Sequence, residues 1–310
     1  MTDEIHLGFV GLGQMGAPMA ERLLSQGVQL HVHDADAVAM ARFEKAGAVA
    51  HPSPRSVADS ASIVFACLPS GSASEKVAFG PEGISGGSAV RIYAEMSTIG
   101  REAVRRIGDS LDGRGIGFVD APISGGPPAA REGRLAMMVS GAPSYVEAVK
   151  PYLAAIGSKV YVLGDQPGQA QIMKLVNNLV MAANMVAASE GLVMGAKAGI
   201  EPELMMKVLN AGTGQSASAD ILARSALPGT FDFGAHLSIV AKDVELAIAE
   251  GRALEVGLEA IAGTAKAWAS AMAEGRGRDD FTAIIKPIEN RGGALVRSHR
   301  APARGSEGTR

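Results

Sequence analysis

Cysteine is almost missing from this sequence, because its 310 residues include a single one, Cys67. One cysteine excludes a disulfide within the chain and suits a reducing compartment. Cys67 stands in an apolar run, Ile63 to Leu68, which favours a buried strand thiol over a nucleophile. The N-terminal stretch, MTDEIHLG, lacks the basic and apolar regions of a secretory signal. We therefore expect a cytoplasmic protein.

Long hydrophobic runs, basic stripes and clusters of metal ligands are missing as well. No segment approaches the ~18 uninterrupted apolar residues of a membrane span, so no membrane partner is expected. The formal net charge is -3, and no Lys/Arg-rich stripe interrupts the body of the chain, which argues against nucleic acid. His31 and His33 share one face of a predicted strand, but no third ligand stands nearby. We predict no metal site.

What the sequence does contain is a glycine triplet between an apolar run and a helical pattern. Gly11, Gly13 and Gly16 have the GxGxxG spacing. In a dinucleotide-binding turn, these glycines permit the tight turn, the approach of the pyrophosphate and the close packing of helix on strand. The helix that follows directs its free N–H groups at the phosphates. The predicted cofactor loop comprises Gly11, Leu12, Gly13, Gln14, Met15 and Gly16.

Asp34 follows the second predicted strand and bears on the choice of dinucleotide. A carboxylate at this place accepts hydrogen bonds from the adenosine ribose hydroxyls and repels a 2′-phosphate. Neither Ala35 nor Asp36 offers a cation that would bind such a phosphate. The sequence therefore predicts NAD in preference to NADP.

The pattern of elements changes once along the chain. Short apolar strands alternate with helical stretches in the first half, which is typical of a doubly wound, mostly parallel sheet. Helical periodicity dominates from Gln169 to about Ile288. We predict an α/β Rossmann domain over residues 1–165, an all-α domain over 166–293 and a disordered tail over 294–310.

The strands also predict where a ligand binds. Ligands of doubly wound sheets lie beyond the carboxyl ends of the strands. Leu68, Pro69 and Thr98 stand at two such ends and are candidate contacts of the nicotinamide half of the cofactor. The predicted strands span 5–10, 28–33, 63–68, 90–95, 117–119, 135–140 and 159–163.

Two polar residues interrupt a helix that is predicted over residues 169–196. The helix is apolar nearly all round, so we expect it to be buried on most sides. Lys174 and Asn178 are four residues apart and therefore point from one face. A buried lysine is costly unless a cleft, ligand or partner solvates it. The alternative on spacing alone is a lysine that reaches the surface near the helix start.

A second polar segment is DAPISGG, which begins at Asp120. It combines a strand end with the hydroxyl of Ser124 and the backbone N–H groups of Gly125 and Gly126. Successive N–H groups of this kind form anion-binding nests. An ordinary glycine-rich turn remains the alternative.

Four segments, taken in order, resemble the β-hydroxyacid dehydrogenases, the group of 3-hydroxyisobutyrate dehydrogenase and 2-hydroxy-3-oxopropionate reductase. They are GFVGLGQMGAPMAERLL from Gly8, DAPISGGPPAAREGRLAMMVSG from Asp120, GQAQIMKLVNN from Gly168 and AKDVELA from Ala241. EMSTIGREA, between the first two, is similar to the serine-threonine motif of the family. The resemblance covers about residues 5–290.

The resemblance implies a Rossmann domain followed by a helical domain, with the active site between them. Lys174 matches the catalytic lysine, and Asn178 matches the substrate-contacting asparagine. Thr98 matches a cofactor contact near the nicotinamide, and Lys242 matches the lysine that the helical domain extends to the nucleotide. The turn that matches the carboxylate-binding site is Ser124, Gly125 and Gly126.

The implied reaction transfers a hydride between a 3-hydroxy acid, or its semialdehyde, and nicotinamide, with Lys174 as general acid and base. Burial and a nearby positive charge would lower the pKa of this lysine towards neutrality. Imine reductases resemble this family, but they favour NADPH and generally carry another residue at the lysine position. A nucleotide-binding scaffold without catalysis is the other alternative. We expect a small carboxylate substrate and a homodimer or homotetramer, while the identity of the hydroxy acid stays open.

Overall fold

The structure, a computed structural model, describes residues 6–298, and contacts between its Cα atoms divide the chain into two compact units. The first unit is Met1–Val176 and the second is Asn177–Arg310. The first contains one sheet with helices on both faces, and the described part of the second contains helices joined by loops, with no strand. The predicted fold class, an α/β Rossmann domain followed by an all-α domain, is confirmed.

The sheet of the first unit has the strand order β3-β2-β1-β4-β5-β6-β8-β7, with β9 paired to β8. Strands β1 to β6 are parallel, and β8 runs antiparallel to β6 and β7. Order and direction in the first six strands are those of a dinucleotide-binding sheet. The strands are β1 (His6–Val10), β2 (Gln29–His33), β3 (Val49–Ala50), β4 (Ile63–Ala66), β5 (Ile92–Glu95), β6 (Gly117–Asp120), β7 (Ile123–Ser124), β8 (Ala136–Gly141) and β9 (Lys159–Gly164).

Each strand that the sequence predicted is present. The two that it missed, β3 and β7, have two residues each, too few for an alternating pattern to be visible. Both lie beside longer strands that hold them, β3 on β2 and β7 on β8.

Helices cover both faces of the sheet, and their starts follow local capping rules. Asp36, Ser53 and Ser70 accept hydrogen bonds from backbone N–H groups in the first turns that they precede. Pro18 lies in the first turn of its helix, where a missing N–H costs no helical bond. The helices of the first unit are α1 (Gly16–Leu24), α2 (Ala37–Lys45), α3 (Pro54–Ala58), α4 (Gly71–Phe79), α5 (Arg101–Asp112), α6 (Gly126–Glu132) and α7 (Pro143–Ile156).

Two apolar cores lie on the two faces of this sheet. Phe9 and Phe65 belong to the core that α1, α2 and α7 cover, whereas Val64 and Tyr93 belong to the core that α3, α4 and α5 cover. Alternate residues of one strand therefore enter different cores, as a sheet buried on both faces requires.

The second unit has its own core around the fully buried Trp268, whose indole N–H donates to the carbonyl oxygen of Ala182. The remaining helices are α8 (Gln169–Lys197), α9 (Pro202–Ala211), α10 (Ala217–Ser225), α11 (Leu237–Ala253), α12 (Ala262–Ala273) and α13 (Ile285–Gly292). Helix α8 runs through the boundary that follows Val176.

Helix α8 differs from the sequence expectation in its burial. It has the length and hydropathy of a membrane-spanning helix, yet 44% of its most apolar window is buried within the protein. It was expected to be covered on most sides, but Met173, Val176, Val180 and Met194 are between 39% and 73% exposed. Apolar composition alone therefore overestimated how much of this helix the chain itself covers.

The predicted disordered tail begins too early. Val296 is buried, and its N–H donates to Oε1 of Glu289 at 2.8 Å. Arg297 pairs with the same carboxylate, and the Ser298 N–H donates to the Leu227 carbonyl oxygen at 2.7 Å. Residues 294–298 are thus packed against the second unit through the buried Glu289. The composition of the tail gave no sign of this contact, because Glu289 lies before it. The rest of the predicted tail, 299–310, lies outside the described residues.

Candidate active site

The glycine loop between β1 and α1 excludes side chains at its two ends. Gly11 has a φ of +94°, and a Cβ atom there would lie 2.2 Å from the carbonyl oxygen of Cys67. A Cβ atom at Gly16 would lie 1.8 Å from the carbonyl oxygen of Gly11. At the exposed Gly13, no atom of the described chain, its neighbours in sequence apart, lies within 4 Å of the Cβ position. The backbone of the protein therefore packs against Gly11 and Gly16, whereas the space beside Gly13 is accessible. A pyrophosphate bound to this loop would lie beside Gly13.

Asp34 connects this loop to the end of β2. Its Oδ2 accepts the Leu12 N–H at 2.5 Å, and its Oδ1 accepts the Asp36 N–H at 2.7 Å. Arg42 of α2 is paired with Glu21. A half-buried carboxylate beside the glycine loop fits the adenosine ribose of a dinucleotide. Gln14 and Met15 follow Gly13, and Met15 stands at the N-cap position of α1 without a side-chain capping bond, which leaves N–H groups at the start of the helix to a ligand.

A buried carboxylate, Glu95, lies at the end of β5. Ser97 donates both its N–H, at 3.0 Å, and its hydroxyl to Oε1 of Glu95. Tyr93 donates its hydroxyl to Oε2 at 3.0 Å, and Glu95 has no exposed surface. Burial raises the pKa of Glu95 above its usual value. Sequence reasoning missed this role, because a lone glutamate before a serine-threonine motif is normally an exposed residue.

The Ser97 hydroxyl oxygen also accepts the Leu68 N–H at 2.7 Å, so the two loops with candidate nicotinamide contacts are tied together. Leu68 and Pro69 thereby lie beside the segment that contains Thr98. Burial raises the pKa of the neighbouring Cys67 thiol to about 12, with a further contribution from the charge of Glu95. Cys67 is half-buried just after β4, outside the strand in which it was expected, and the raised pKa favours its protonated, less nucleophilic form.

Asp120, at the end of β6, holds the start of α8. Its Oδ2 accepts the N–H groups of Gly168 and Gln171 at 3.0 and 3.1 Å and the Ser140 hydroxyl at 3.3 Å. Asp120 is fully buried, and this burial raises its pKa to about 6 although the hydrogen bonds oppose the shift. These bonds explain why the first turns of α8 belong to the first unit, whereas the sequence pattern placed the boundary at residue 165.

Lys174 lies within this anchored part of α8 and is 8% exposed. Gln171, Lys174 and Asn178 are spaced by three and four residues, so they share one face of the helix. All three are buried, so this face of the helix carries three buried polar side chains. The predicted pair is thus placed on one face, and Gln171 is a member that the sequence had not singled out.

Asn178, in the second unit, donates its Nδ2 to Oδ2 of Asp243 at 2.5 Å. The other oxygen of this buried carboxylate lies 2.8 Å from Nζ of Lys242 on α11. Asp243 therefore joins two residues that the sequence had singled out separately. It was missed although it stands next to Lys242 in the AKDVELA segment, because residues i and i+1 of a helix do not usually face each other.

Ser124 ends β7, and the two glycines after it start α6. Gly125 has a φ of +133°, and a Cβ atom there would lie 2.7 Å from Cβ of Ala129. Gly126 also has a positive φ, +71°. Glycine is required here by both conformation and space, so the turn is not an arbitrary flexible loop. Its successive N–H groups beside a hydroxyl fit a carboxylate.

The rings of His6, His31 and His51 form a row across β1, β2 and the end of β3. His31 Nε2 lies 2.9 Å from His6 Nδ1, and His31 Nδ1 lies 2.8 Å from His51 Nε2. His33 points its Nδ1 at the His51 carbonyl oxygen at 2.9 Å. Within residues 6–298, no three histidine, cysteine, aspartate or glutamate side chains are arranged to hold a metal ion.

Both units match known protein families. Residues 6–164 match the family described as the NAD binding domain of 6-phosphogluconate dehydrogenase. Residues 168–288 match the family described as NAD-binding of NADP-dependent 3-hydroxyisobutyrate dehydrogenase. The chain therefore contains NAD(P)-binding domains.

Individual relatives agree with these matches. The chain is 33% identical to 2-(hydroxymethyl)glutarate dehydrogenase of Eubacterium barkeri over 96% of this chain and 99% of that protein. It is 32% identical to 2-hydroxy-3-oxopropionate reductase of Escherichia coli (strain K12) over 91% and 97% of the two chains. The structure of Mycobacterium tuberculosis 3-hydroxyisobutyrate dehydrogenase with L-serine has a TM-score of 0.84, at 25% identity over 92% and 99% of the two chains. These relatives are oxidoreductases of small hydroxy acids, and the chain belongs to the β-hydroxyacid dehydrogenase family.

Proposed function

We propose that this protein uses NAD to oxidise a small 3-hydroxy acid, or NADH to reduce the corresponding semialdehyde, with Lys174 as general acid and base. The burial of Lys174 beside the carboxyl ends of the sheet carries the proposal. Buried ionisable side chains are concentrated at catalytic sites, because burial adjusts the pKa of a group that transfers protons.

Lys174 has one task in each direction. As a neutral amine it accepts the hydroxyl proton of the hydroxy acid, and as an ammonium group it returns a proton to the nascent alkoxide. The nicotinamide, when bound, supplies the acceptor or donor of the hydride at the hydroxyl-bearing carbon. Asn178 orients the substrate oxygen by hydrogen bonding and does not titrate, and its amide is itself fixed by Asp243.

The proposed substrate is a small carboxylate. Ser124 and the N–H groups of Gly125 and Gly126 would hold the carboxylate and so set the reacting carbon in place. Leu68, Pro69 and Thr98 would contact the nicotinamide half, and Lys242 the nucleotide. Support comes from the positive φ values of both glycines and from the hydrogen bond between Leu68 and Ser97.

NAD is the proposed cofactor, in preference to NADP. Support comes from Asp34, whose carboxylate accepts two backbone N–H groups and stands where the ribose of the adenosine would lie. A 2′-phosphate placed there would meet a negative charge, and Arg42 is engaged with Glu21.

The direct test is a screen for NAD reduction across short 3-hydroxy acids and sugar acids, with their semialdehydes assayed in the reverse direction. Turnover of at least one 3-hydroxy acid, faster with NAD than with NADP, is the expected result. Tight NADH binding without turnover of any compound would favour the scaffold without catalysis. Preferential reduction of cyclic imines with NADPH would favour an imine reductase.

We also propose a cytoplasmic homodimer or homotetramer. The exposed apolar side chains of α8, Met173, Val176, Val180 and Met194, suit contact with a second copy of the chain. Light scattering after size exclusion should give the mass of two or four chains. Val180→Glu should reduce that mass, and an unchanged mass would place the interface elsewhere.

A further inference from the structure

Gln171 has a completely satisfied side chain in the first turn of α8. It has no exposed surface. Its Oε1 accepts the N–H groups of Ile99 and Gly100 at 3.0 and 3.1 Å. Its Nε2 donates to the carbonyl oxygen of Ser97 at 3.0 Å and to Oδ1 of Asp120 at 2.7 Å. One amide thus supplies two donors and one doubly used acceptor, a combination that neither glutamate nor methionine can provide.

Hydrogen bonds of the Gln171 side chain go to the residues on either side of Thr98. Ser97 and Ile99, the chain neighbours of Thr98 on either side, are both hydrogen bonded to the Gln171 amide. The backbone at Thr98 is therefore fixed from α8, and its conformation depends on where that helix begins.

The same residue is tied to Lys174 through the helix. Lys174 follows Gln171 by three residues and projects from the same face. Asp120 accepts both the backbone N–H and the side-chain Nε2 of Gln171, so the helix can neither slide nor turn without breaking buried bonds. A lost partner leaves a buried polar group unsatisfied, which costs more than the bond itself gains.

We infer that Gln171 is a positioning residue, which sets the Nζ of Lys174 relative to Thr98 and thus relative to the nicotinamide that Thr98 is proposed to contact. This inference rests on the proposed function of Lys174. A displacement of about 1 Å at a reacting group lowers the rate about 100-fold. Loss of the Gln171 amide should therefore reduce kcat without removing any group that touches the substrate.

The test compares Gln171→Met with Gln169→Met. Methionine keeps the length of the side chain and removes its four hydrogen bonds, while the backbone N–H of residue 171 still donates to Asp120. Gln169 is an exposed glutamine in the same helical turn, and its Oε1 accepts the Gln166 N–H at 3.0 Å. Gln171→Met should lower kcat about 10-fold or more, while the Kd for NADH and the substrate KM change less than about 3-fold. Gln169→Met should leave all three close to those of the unmodified protein.

A kcat of Gln171→Met equal to that of Gln169→Met would overturn the inference. So would a loss of NADH affinity as large as the loss of kcat, because it would indicate general disruption of the unit. If Gln171→Met is insoluble, Gln171→Glu is measured in the same way, since it keeps the acceptor for Ile99 and Gly100 but cannot donate to Ser97 and Asp120.

Hydrogen exchange separates this inference from the proposed function. In the ligand-free protein, amides in segments 97–101 and 168–175 should exchange faster in Gln171→Met than in Gln169→Met. Equal exchange in the two variants would overturn the positioning role. A protein that oxidises no hydroxy acid but shows faster exchange would contradict the proposed function and leave the anchoring role of Gln171 supported.

Discussion

The Leu12 N–H donates to Oδ2 of Asp34 at 2.5 Å, so the glycine loop and the end of β2 share one carboxylate. The residue expected to recognise the ribose is also part of the structure of the phosphate loop. Its orientation is fixed before any ligand arrives, which limits the entropy lost on binding.

Replacement of Asp34 should weaken the preference for NAD. Asp34→Ala removes a charged acceptor, and a hydrogen bond to a charged group contributes about 1.5–3 kcal/mol, so the NAD/NADP ratio of kcat/KM should fall about 10- to 100-fold. Asp36→Ala is the matched control, because that side chain accepts the Val38 N–H and caps α2. An unchanged ratio in Asp34→Ala would show that this carboxylate does not select the cofactor.

Removal of the proposed acid and base should affect chemistry more than cofactor binding. Lys174→Ala should lower kcat about 10²- to 10⁴-fold, the usual contribution of positioned proton transfer, while NADH still binds. Lys197→Ala is a control on the same helix, since that ammonium group donates to the Gly292 carbonyl oxygen. Steady-state kinetics and NADH fluorescence titration give the two quantities. A near-normal rate in Lys174→Ala would exclude the assigned role.

The turn after β7 should discriminate between charged and uncharged substrates. Ser124→Ala removes a hydroxyl beside the proposed carboxylate, so the KM for a 3-hydroxy acid or semialdehyde acid should rise about 10-fold, as expected for a lost hydrogen bond to a charged group. The KM for an uncharged aldehyde of similar size should change little. Equal increases for both substrates would argue that Ser124 contributes to packing of the turn.

Asp120 makes stability depend on pH in a defined direction. Its pKa in the folded protein is about 6, against an ordinary value of 3.8. Between these values the folded state holds a proton that the unfolded chain has released, so stability is greatest below the range and declines as pH rises through it. The free energy of unfolding, relative to Asp120→Asn, should fall by about 2 kcal/mol between about pH 4 and about pH 7. Urea unfolding at both pH values measures it, and a constant difference would contradict the prediction.

His31 should have the opposite effect in acid. Burial, followed by the charges of His51 and His6, lowers its pKa from 6.5 to about 4. Below pH 6.5 the imidazole of His31 is protonated in the unfolded chain but stays neutral in the folded protein. The free energy of unfolding therefore falls as pH decreases from 6.5 towards 4. His31→Gln should be less sensitive to acid than the unmodified protein in the same denaturation experiment. Equal acid sensitivity of the two proteins would show that the pKa of His31 is not lowered in the folded protein.

Much of the fold was predictable because it depends on patterns within short stretches. The strands of the first unit, the loop from Gly11 to Gly16 and the change to helices all follow from periodicity and glycine spacing. Strand β3 escaped detection because two residues carry no period.

The rest of the site depends on contacts between distant residues, which a single sequence does not encode locally. Asp243 looks like a surface carboxylate in sequence, yet it is buried and accepts a hydrogen bond from Asn178, 65 residues earlier. Glu95 has local donors, Tyr93 and Ser97, and the sequence did not show that it is buried. Gln171 was missed for the same reason as Asp243, since its partners stand 51 to 74 residues earlier, beyond the reach of any local pattern. The exposed face of α8 was missed because hydropathy measures the preference of a side chain for an apolar environment. It does not show whether other residues of the same chain cover that side chain.

The open space around Gly13 means that fold and ligand constrain different positions of one loop. A methyl group at Gly11 or Gly16 would meet the backbone, so substitutions there should be harmful in any survey of folding or expression. A methyl group at Gly13 meets nothing in the described chain, so the same survey should record that position as tolerant. A survey based on growth on the substrate should instead find Gly13 intolerant, while Gly11 and Gly16 stay intolerant in both. The difference between the two maps would locate the pyrophosphate without any bound ligand.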